Sequence, residues 1–296
     1  MTDLAISAED VQRWHKPLGD LLETTRRRIG AGWAPAWKGA AEIEIAETAA
    51  LLRDDQTLWG EGPARTTLPV AGVLLQAAME HADAVHVLLA ARTTSALAIE
   101  AMARAALEAG AQAWWLLEPD IGGRTRVVRR HVLERQTAQR LETSAKSMGI
   151  TVTAGLGKSV ADTQAERDAL QIRDDLSAKG VWLGCEGQAG LNYTSRVATF
   201  MEETKQEPAR GPYAFVCGAS HAELWRIYYG YTPTQLPDGS TMWTPRTPRD
   251  FVRFAVTACI EAVIQPAGRA FYWLGRGGAL EDLRRLEAPI IAAMRP

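Results

Sequence analysis

A polar stripe interrupts the most apolar stretch of this 296-residue chain. Nearly every position from Ser95 to Leu117 is hydrophobic, and the polar exceptions recur at strict four-residue spacing: Glu100, Arg104, Glu108 and Gln112. Residues four apart lie one above another on a helix, and a helix that is apolar all round is buried. We therefore predict a core helix whose polar stripe faces a water-filled slit or an internal polar site.

Hydrophobic periodicity predicts helices along the rest of the chain. Apolar residues recur at helical spacing, and alternating strand patterns are nearly absent. Short turns separate the segments 70–92, 94–117 and 124–148, which predicts three antiparallel neighbouring helices. The expected fold class is all-α, an antiparallel multi-helix bundle. The proline-rich segment Thr232–Pro248 is predicted to be an ordered loop or a small hairpin.

The expected organisation is a single helical domain over residues 1–296. We expect its core helices within about 70–148 and 213–275. The N-terminal helices, within 7–53, are expected to pack on the outside.

Composition restricts the classes of partner. The formal net charge is −2, so nucleic acid needs a local basic patch rather than a global field. Three scattered cysteines without metal-ligand or redox spacing indicate a reduced, cytoplasmic protein: Cys185, Cys217 and Cys259. Without a signal-peptide pattern or an uncharged membrane-length run, no membrane partner is expected. We also expect no cofactor, and a homodimer formed through an exposed apolar face.

The polar stripe admits a functional and a structural interpretation. Arg104 could lie between Glu100 and Glu108 and present its guanidinium to an anionic ligand, or one carboxylate could act as a general base. The structural alternative is a buried ion-pair ladder that fixes the register of the helix. We favour the ladder, because structural ion-pair networks occur where binding sites are absent.

A second group of residues is basic. Six arginines lie between positions 124 and 140, with His131 among them and Glu134 as the one acid. Arg124 and Arg126 precede His131 at a spacing that resembles the signature of HEPN-type ribonucleases. Those proteins are helical bundles, often dimeric, in which the arginine and the histidine act on a phosphate without metal. The structural alternative is a basic face packed near the acidic helix predicted over 160–179.

A third group would suit a metal-dependent enzyme. Asp83 with His86, and His131 with Glu134, each place a carboxylate and an imidazole three residues apart on one helix face. Carboxylate-bridged metal centres in bundles use such pairs, but in the order Glu-x-x-His, which neither helix contains. We therefore favour a hydrogen-bonded core histidine and expect no metal.

A longer pattern resembles a group of uncharacterised all-helical bacterial proteins, distantly HEPN-like. In that family an Arg-x-x-x-Glu helix ends in Trp-Leu-Leu-x-Pro, and a helix with a Ser-His pair follows later. The matching segments here are Arg104–Glu108, Trp114–Pro119 and Ser220–His221. The resemblance implies that Arg104, Glu108 and His221 meet in one binding site, but it brings no established activity.

Three functions follow from these patterns. The first is metal-independent RNA cleavage or RNA binding through the arginine-rich helix, with Arg124, Arg126 and His131 as catalytic residues. The second is a non-catalytic bundle that binds a small molecule or serves as a scaffold. The third is a carboxylate–histidine metal enzyme.

Overall fold

The computed structural model describes residues 6–30, 42, 61–91, 96–151, 158–190, 192–204, 213, 217, 230–245 and 247–294. The chain is 74% helical, which confirms the predicted all-α bundle. The described helices are α1 (Ala8–Gly30), α2 (Glu61–Ala90), α3 (Ala96–Leu116), α4 (Gly122–Met148), α5 (Val160–Ala169), α6 (Tyr193–Glu203), α7 (Arg249–Trp273) and α8 (Gly277–Met294).

Helix α3, which carries the polar stripe, lies at the centre of the bundle. It packs against α2 and α7 along most of its length, and α6 covers part of the remaining surface. At the crossing with α7, a Cβ on Gly110 would lie 2.8 Å from the Cα of Ala262. Only glycine allows this close approach of two backbones. The tight crossing fixes where the C-terminal end of α3 meets α7.

Helix α1 contributes to the core. Ser7 and Asp10 form the predicted N-cap, in which each side chain accepts a hydrogen bond from the other residue's backbone N–H, at 3.0 and 3.1 Å. Trp14 and Leu18 are fully enclosed. Helix α1 is therefore more deeply buried than we expected for the N-terminal helices within 7–53, which we predicted to pack on the outside. Of the other predicted N-terminal helix, residues 40–53, only residue 42 lies within the described part.

Helix α2 begins earlier than its sequence predicts. Proline is usual in the first turn of a helix, so the sequence predicts that this helix begins at Pro69 after a loop over 54–68, whereas residues 61–68 are already helical. Proline inside a helix removes one backbone hydrogen bond of the helix. Pro69 and Arg65 are both exposed, so the proline lies on the solvent side, where the helix tolerates it.

Two small antiparallel sheets accompany the helices. Three short strands pair in the order β1 (Asp174–Leu176), β2 (Trp182–Cys185) and β3 (Gln188–Ala189). The helix predicted over 160–179 is wrong beyond Ala169, because Gln171 takes a positive φ of 49° that ends the helix and turns the chain towards β1. Strands β4 (Tyr231–Gln235) and β5 (Thr241–Pro245) form the hairpin predicted as one alternative for the proline-rich segment.

Two of the described helices are long and apolar enough to cross a membrane by length and composition: Arg65–Ala90 and Arg249–Trp273. Both pack against α3, and helices of a buried core pass the same test. The absence of a membrane partner, the cytoplasmic location and the homodimer stay predictions.

Candidate functional site

The polar stripe of α3 is a chain of hydrogen bonds centred on Glu108. Arg104 Nε donates to Glu108 Oε1 at 2.7 Å, and Gln112 Nε2 donates to the Glu108 backbone oxygen at 2.9 Å. Tyr213 Oη donates to the same carboxylate oxygen at 2.7 Å. Glu100, at the other end of the stripe, is buried. The stripe therefore contains the short ion pair that the ladder interpretation requires.

Tyr213 extends this cluster away from α3. Burial, and then the hydrogen bond to Glu108, raise the pKa of Tyr213 far above its ordinary value. The phenol therefore stays protonated and acts as a donor to the carboxylate. His221 and Ser220 lie outside the described residues, so their meeting with Arg104 and Glu108 stays a prediction.

The middle of α4 is tied to α5 by paired charges. Arg130, whose side chain is 2% exposed, donates to Glu134 at 2.9 Å and to Glu166 at 2.6 Å. Lys158 donates to the same two carboxylates at 2.8 and 2.6 Å. Two cations and two carboxylates neutralise one another here, and we call these residues the α4–α5 network: Arg130, Glu134, Lys158 and Glu166.

Asp174 of β1 neutralises the next part of α4. It accepts hydrogen bonds from Arg135 Nη1 at 2.5 Å and from Trp182 Nε1 at 3.1 Å, and it also pairs with Arg167. Much of the arginine-rich helix is therefore packed against carboxylates of α5 and β1. This arrangement agrees with the structural interpretation of the basic face, in which it packs near an acidic helix.

His131 is enclosed between these charged groups. It is 0% exposed, and neither Nδ1 nor Nε2 has a hydrogen-bond partner among the residues that the structure describes. Burial, opposed by the charge of Glu166, lowers the pKa of His131 to about 4. In this conformation the imidazole is neutral at pH 7 and out of reach of a phosphate, so RNA cleavage through His131 requires the ring to become accessible.

The two arginines that precede His131 lie in different environments. Arg124 is exposed and donates to Glu186 at 2.6 and 2.9 Å. Arg126 is 1% exposed and donates to the backbone oxygens of Leu116 and Glu118, the latter at 2.8 Å. The described structure does not bring Arg124, Arg126 and His131 together on one exposed face.

Arginines surround the C-terminal end of α3. The last carbonyls of a helix have no partner within it and form its negative end. Arg129 Nη1 donates to the Trp115 oxygen at 2.7 Å, and Arg269 Nη1 of α7 donates to the Trp114 oxygen at 2.9 Å. Together with a neighbour from α6, we call these residues the arginine collar: Arg126, Arg129, Arg196 and Arg269.

The two indole rings at this helix end contact three of the four guanidinium groups of the collar. Arg269 lies 3.6 Å from the centroid of Trp114, while Arg196 and Arg129 lie 4.2 and 4.8 Å from that of Trp115. Cation–π attraction is strongest for tryptophan and is worth about 2 kcal/mol when the cation is desolvated. The tryptophan pair thus positions the arginines without neutralising their charge.

Two collar arginines lack a direct carboxylate partner among the described residues, although the charges of Glu118 and Glu203 act on Arg269 from further away. Arg129 pairs with Glu118. Arg196 and Arg269 have no carboxylate within ion-pair distance among the residues that the structure describes. Burial lowers the pKa of each to about 10, so both remain cationic at neutral pH.

Arg269 lines an open cleft of about 450 Å³ between α7, α8 and the turn that joins α3 to α4. This volume lies within the range of small-molecule sites. We call it the collar cleft, and the residues that determine its chemistry are Asp120, Ile264, Arg269, Leu280, Leu283 and Arg284.

Sequence analysis missed Arg196, Arg269 and the collar cleft. Arg269 is nevertheless the one charged residue in the largely apolar stretch 262–274. A polar residue in an apolar helix is the signal that drew attention to the stripe of α3, and it would have identified Arg269, whereas the polar residues around Arg196 give no such signal.

The residues proposed for a metal centre have other partners. Asp83 pairs with Arg26 at 2.9 Å, His86 stacks on His15 with ring centroids 3.7 Å apart, and Glu134 belongs to the α4–α5 network. Over the described residues, no group of three or more histidine, cysteine, aspartate or glutamate side chains could hold a metal ion.

Comparison with protein-family models, curated proteins and solved structures finds no match for this chain. The helical content agrees with an all-helical protein, and the relationship to the uncharacterised bacterial family and to HEPN-like proteins stays a prediction.

Proposed function

We propose that this protein binds a small organic anion in the collar cleft and does not transform it. The observation that carries this proposal is Arg269. It is a cation in a cleft of about 450 Å³, held by a backbone carbonyl and an indole ring rather than by a carboxylate of the described residues. The remaining donors of its guanidinium suit an oxyanion.

The walls of the cleft define the class of ligand. Small-molecule sites combine apolar walls with a few polar groups that orient the ligand, and this cleft has both. Arg269 and Arg284 favour a negative group, while Asp120 at the same cleft disfavours a multiply charged one. A monocarboxylate with an apolar or aromatic body fits this balance, and its body would pack against Ile264, Leu280 and Leu283.

The lining also favours binding over catalysis. Among the described residues that line the cleft, none is serine, threonine, cysteine or histidine, and Asp120 is the one carboxylate. Tyr272 supplies the one hydroxyl of the described lining, and no histidine or second carboxylate accompanies it there. The described lining therefore offers groups that hold and orient an anion rather than an activated nucleophile.

Benzoate and its neutral analogue benzamide test the proposal by isothermal titration calorimetry. The wild type should bind benzoate and discriminate against benzamide. In Arg269→Gln, benzoate binding should weaken by at least about tenfold, because a hydrogen bond to a charged group is worth about 1.5–3 kcal/mol.

Arg285→Gln is the matched control, since Arg285 lies beside Arg284 on α8 but has a side chain that is 71% exposed and pairs with Glu281 and Asp282. This variant should bind benzoate as the wild type does. Equal affinity for benzoate and benzamide, or unchanged benzoate binding in Arg269→Gln, would contradict the proposal.

RNA binding or cleavage by the arginine-rich helix is the second proposal. It is favoured by Arg140, which is exposed on α4 and has no carboxylate within ion-pair distance among the described residues. Phosphate contacts need only a local patch of such cations. RNA cleavage that survives chelators and disappears in His131→Ala, with the variant still folded by circular dichroism, would support it. A wild-type protein that neither binds nor cleaves RNA would exclude it.

A further inference from the structure

The collar cleft contains a carboxylate as well as two arginines. Asp120 is exposed in the turn between α3 and α4, while Arg269 of α7 and Arg284 of α8 line the same cleft. Among the residues that the structure describes, Asp120 forms no ion pair, so neither arginine neutralises it directly. The cleft therefore presents separate positive and negative groups to a ligand, within one volume of about 450 Å³.

Asp120 has a backbone conformation that few residues adopt. Its φ of 62° lies in the left-handed region, which is unfavourable for most residues that carry a Cβ but is more accessible to aspartate and asparagine. Residues held in such conformations occur preferentially at functional sites, including sites that hold a ligand. The conformation of this turn therefore suits a side chain with a binding role, and asparagine would preserve it.

The arginine collar fixes the backbone that leads into this turn. Three collar arginines donate to backbone oxygens shortly before Asp120, at 2.9, 2.7 and 2.8 Å: Arg269 to Trp114, Arg129 to Trp115 and Arg126 to Glu118. Because Arg269 is itself one of these donors, the same bonds hold its guanidinium in place relative to the turn that carries Asp120. A site with both charges already positioned loses little conformational freedom when it binds a ligand with two opposite charges.

We propose that the ligand of the collar cleft is an amino acid with an apolar or aromatic side chain, bound as the zwitterion. This inference rests on the proposed binding of an organic anion and narrows its class. Arg269 would donate to the α-carboxylate, and Asp120 would accept from the α-ammonium group. The side chain of the ligand would pack against the apolar wall, which consists of Ile264, Leu280 and Leu283. A simple carboxylate would instead leave Asp120 facing a second negative charge.

Three matched ligands test both charged groups of the wild-type cleft by isothermal titration calorimetry. L-phenylalanine carries both charges, 3-phenylpropanoate lacks the ammonium group, and 2-phenylethylamine lacks the carboxylate. L-phenylalanine should bind at least about tenfold more tightly than 2-phenylethylamine, because only the carboxylate bonds the guanidinium of Arg269. It should bind about threefold more tightly than 3-phenylpropanoate, a smaller gain, because Asp120 is exposed and exposed ion pairs are weak.

Asp120→Asn gives effects of opposite sign on two of these ligands. It should weaken binding of L-phenylalanine by about threefold, because the ammonium group loses its partner. It should tighten binding of 3-phenylpropanoate, because the negative charge that repels this anion is gone. Glu281→Gln is the matched control: it removes the same charge from α8, but Glu281 is 57% exposed and is not among the described residues that line the cleft. This variant should keep the ratio of the two affinities at the wild-type value.

The ratio of the affinities for L-phenylalanine and 3-phenylpropanoate decides the proposal. A ratio that is unchanged in Asp120→Asn, or that changes equally in Glu281→Gln, would overturn it. If Asp120→Asn does not fold, the wild-type comparison decides, and tighter binding of 3-phenylpropanoate than of L-phenylalanine would overturn the amino-acid assignment. Benzoate binding that depends on Arg269 would then leave the proposed anion site in place, whereas failure of benzoate and of all three ligands to bind would overturn the proposed function as well.

Discussion

Arg130 of the α4–α5 network and Arg269 of the arginine collar are held by different kinds of partner. In the network, Arg130 and Lys158 meet the carboxylates of Glu134 and Glu166. In the collar, Arg269 meets a backbone carbonyl and an indole ring. A carboxylate cancels the charge of an arginine, whereas a carbonyl or a ring only orients it. The comparison teaches that a basic segment can bind an anion only where its arginines have neutral partners.

The largest expected effect comes from breaking the network. Arg130→Ala should lower the free energy of unfolding by about 3 to 5 kcal/mol, because it removes an enclosed partner of two carboxylates. Urea unfolding followed by circular dichroism measures this loss. Arg124→Ala, which breaks an exposed pair with Glu186, should cost less than about 1 kcal/mol. Similar losses for the two variants would contradict the distinction between enclosed and exposed pairs.

A pH titration tests how tightly the network encloses His131. Burial lowers the pKa of His131 from 6.5 to about 4, so between these values the unfolded chain binds a proton that the folded protein does not. Above pH 6.5 this titration does not reduce the free energy of unfolding. As the pH falls towards 4, the free energy of unfolding decreases by about 3 kcal/mol in total.

His131→Leu provides the comparison for this titration. It should remove most of the fall in unfolding free energy between pH 6.5 and 4, and leave the acid loss due to carboxylates at lower pH. Burial also lowers the pKa of His86, so a smaller decline of the same sign should persist. An unchanged pH profile in this variant would show that His131 is accessible to water in the folded protein.

Substitution of Arg269 in the collar should weaken ligand binding more than it lowers stability, whereas substitution of Arg130 in the network should mainly lower stability. Arg269→Gln removes one hydrogen bond to a carbonyl and one cation–π contact, so the free energy of unfolding should fall by only about 1 to 2 kcal/mol. Benzoate affinity, in contrast, should fall by at least about tenfold. Urea unfolding and calorimetry on the same preparation measure both effects. A stability loss as large as that of Arg130→Ala would place Arg269 among the structural arginines.

The Glu108 cluster lies between these two cases and gives the smallest expected effect. Tyr213→Phe removes a donor from a carboxylate that keeps its ion pair with Arg104. The free energy of unfolding should fall by about 1 kcal/mol, the ordinary value of one hydrogen bond. A loss of unfolding free energy larger than that of Arg269→Gln would show that Tyr213, rather than Arg104, is the main partner of the Glu108 carboxylate.

Fold class and much of the helix pattern follow from the sequence, because helical periodicity and caps are local. The Ser7–Asp10 cap and the Arg104–Glu108 spacing show this, since both pairs are bonded in the structure. The ends of elements were less predictable. Pro69 lies inside α2 on the exposed face of the helix, where the proline is tolerated, and this depends on packing rather than on the local sequence.

The candidate site was harder to predict because it joins distant segments. Arg269 lies 155 positions after Trp114 along the chain, and no local pattern pairs them. The arginine-rich helix drew attention by its number of charges, yet several of its arginines are neutralised by carboxylates that the sequence places elsewhere, such as Glu166 and Asp174. Counting charges along one helix therefore identified the basic segment but not the arginines available to a ligand.

Arginine side-chain NMR tests the central claim most directly, because each Nε–Hε resonance reports one guanidinium. We assign the Arg269 and Arg130 signals with lysine variants and titrate the wild type with benzoate. We expect the Arg269 signal to shift saturably while that of Arg130 stays in place, because Arg130 is paired with two carboxylates whereas Arg269 is held by a carbonyl and an indole ring. An unmoved Arg269 signal, or equal shifts for both arginines, would contradict it.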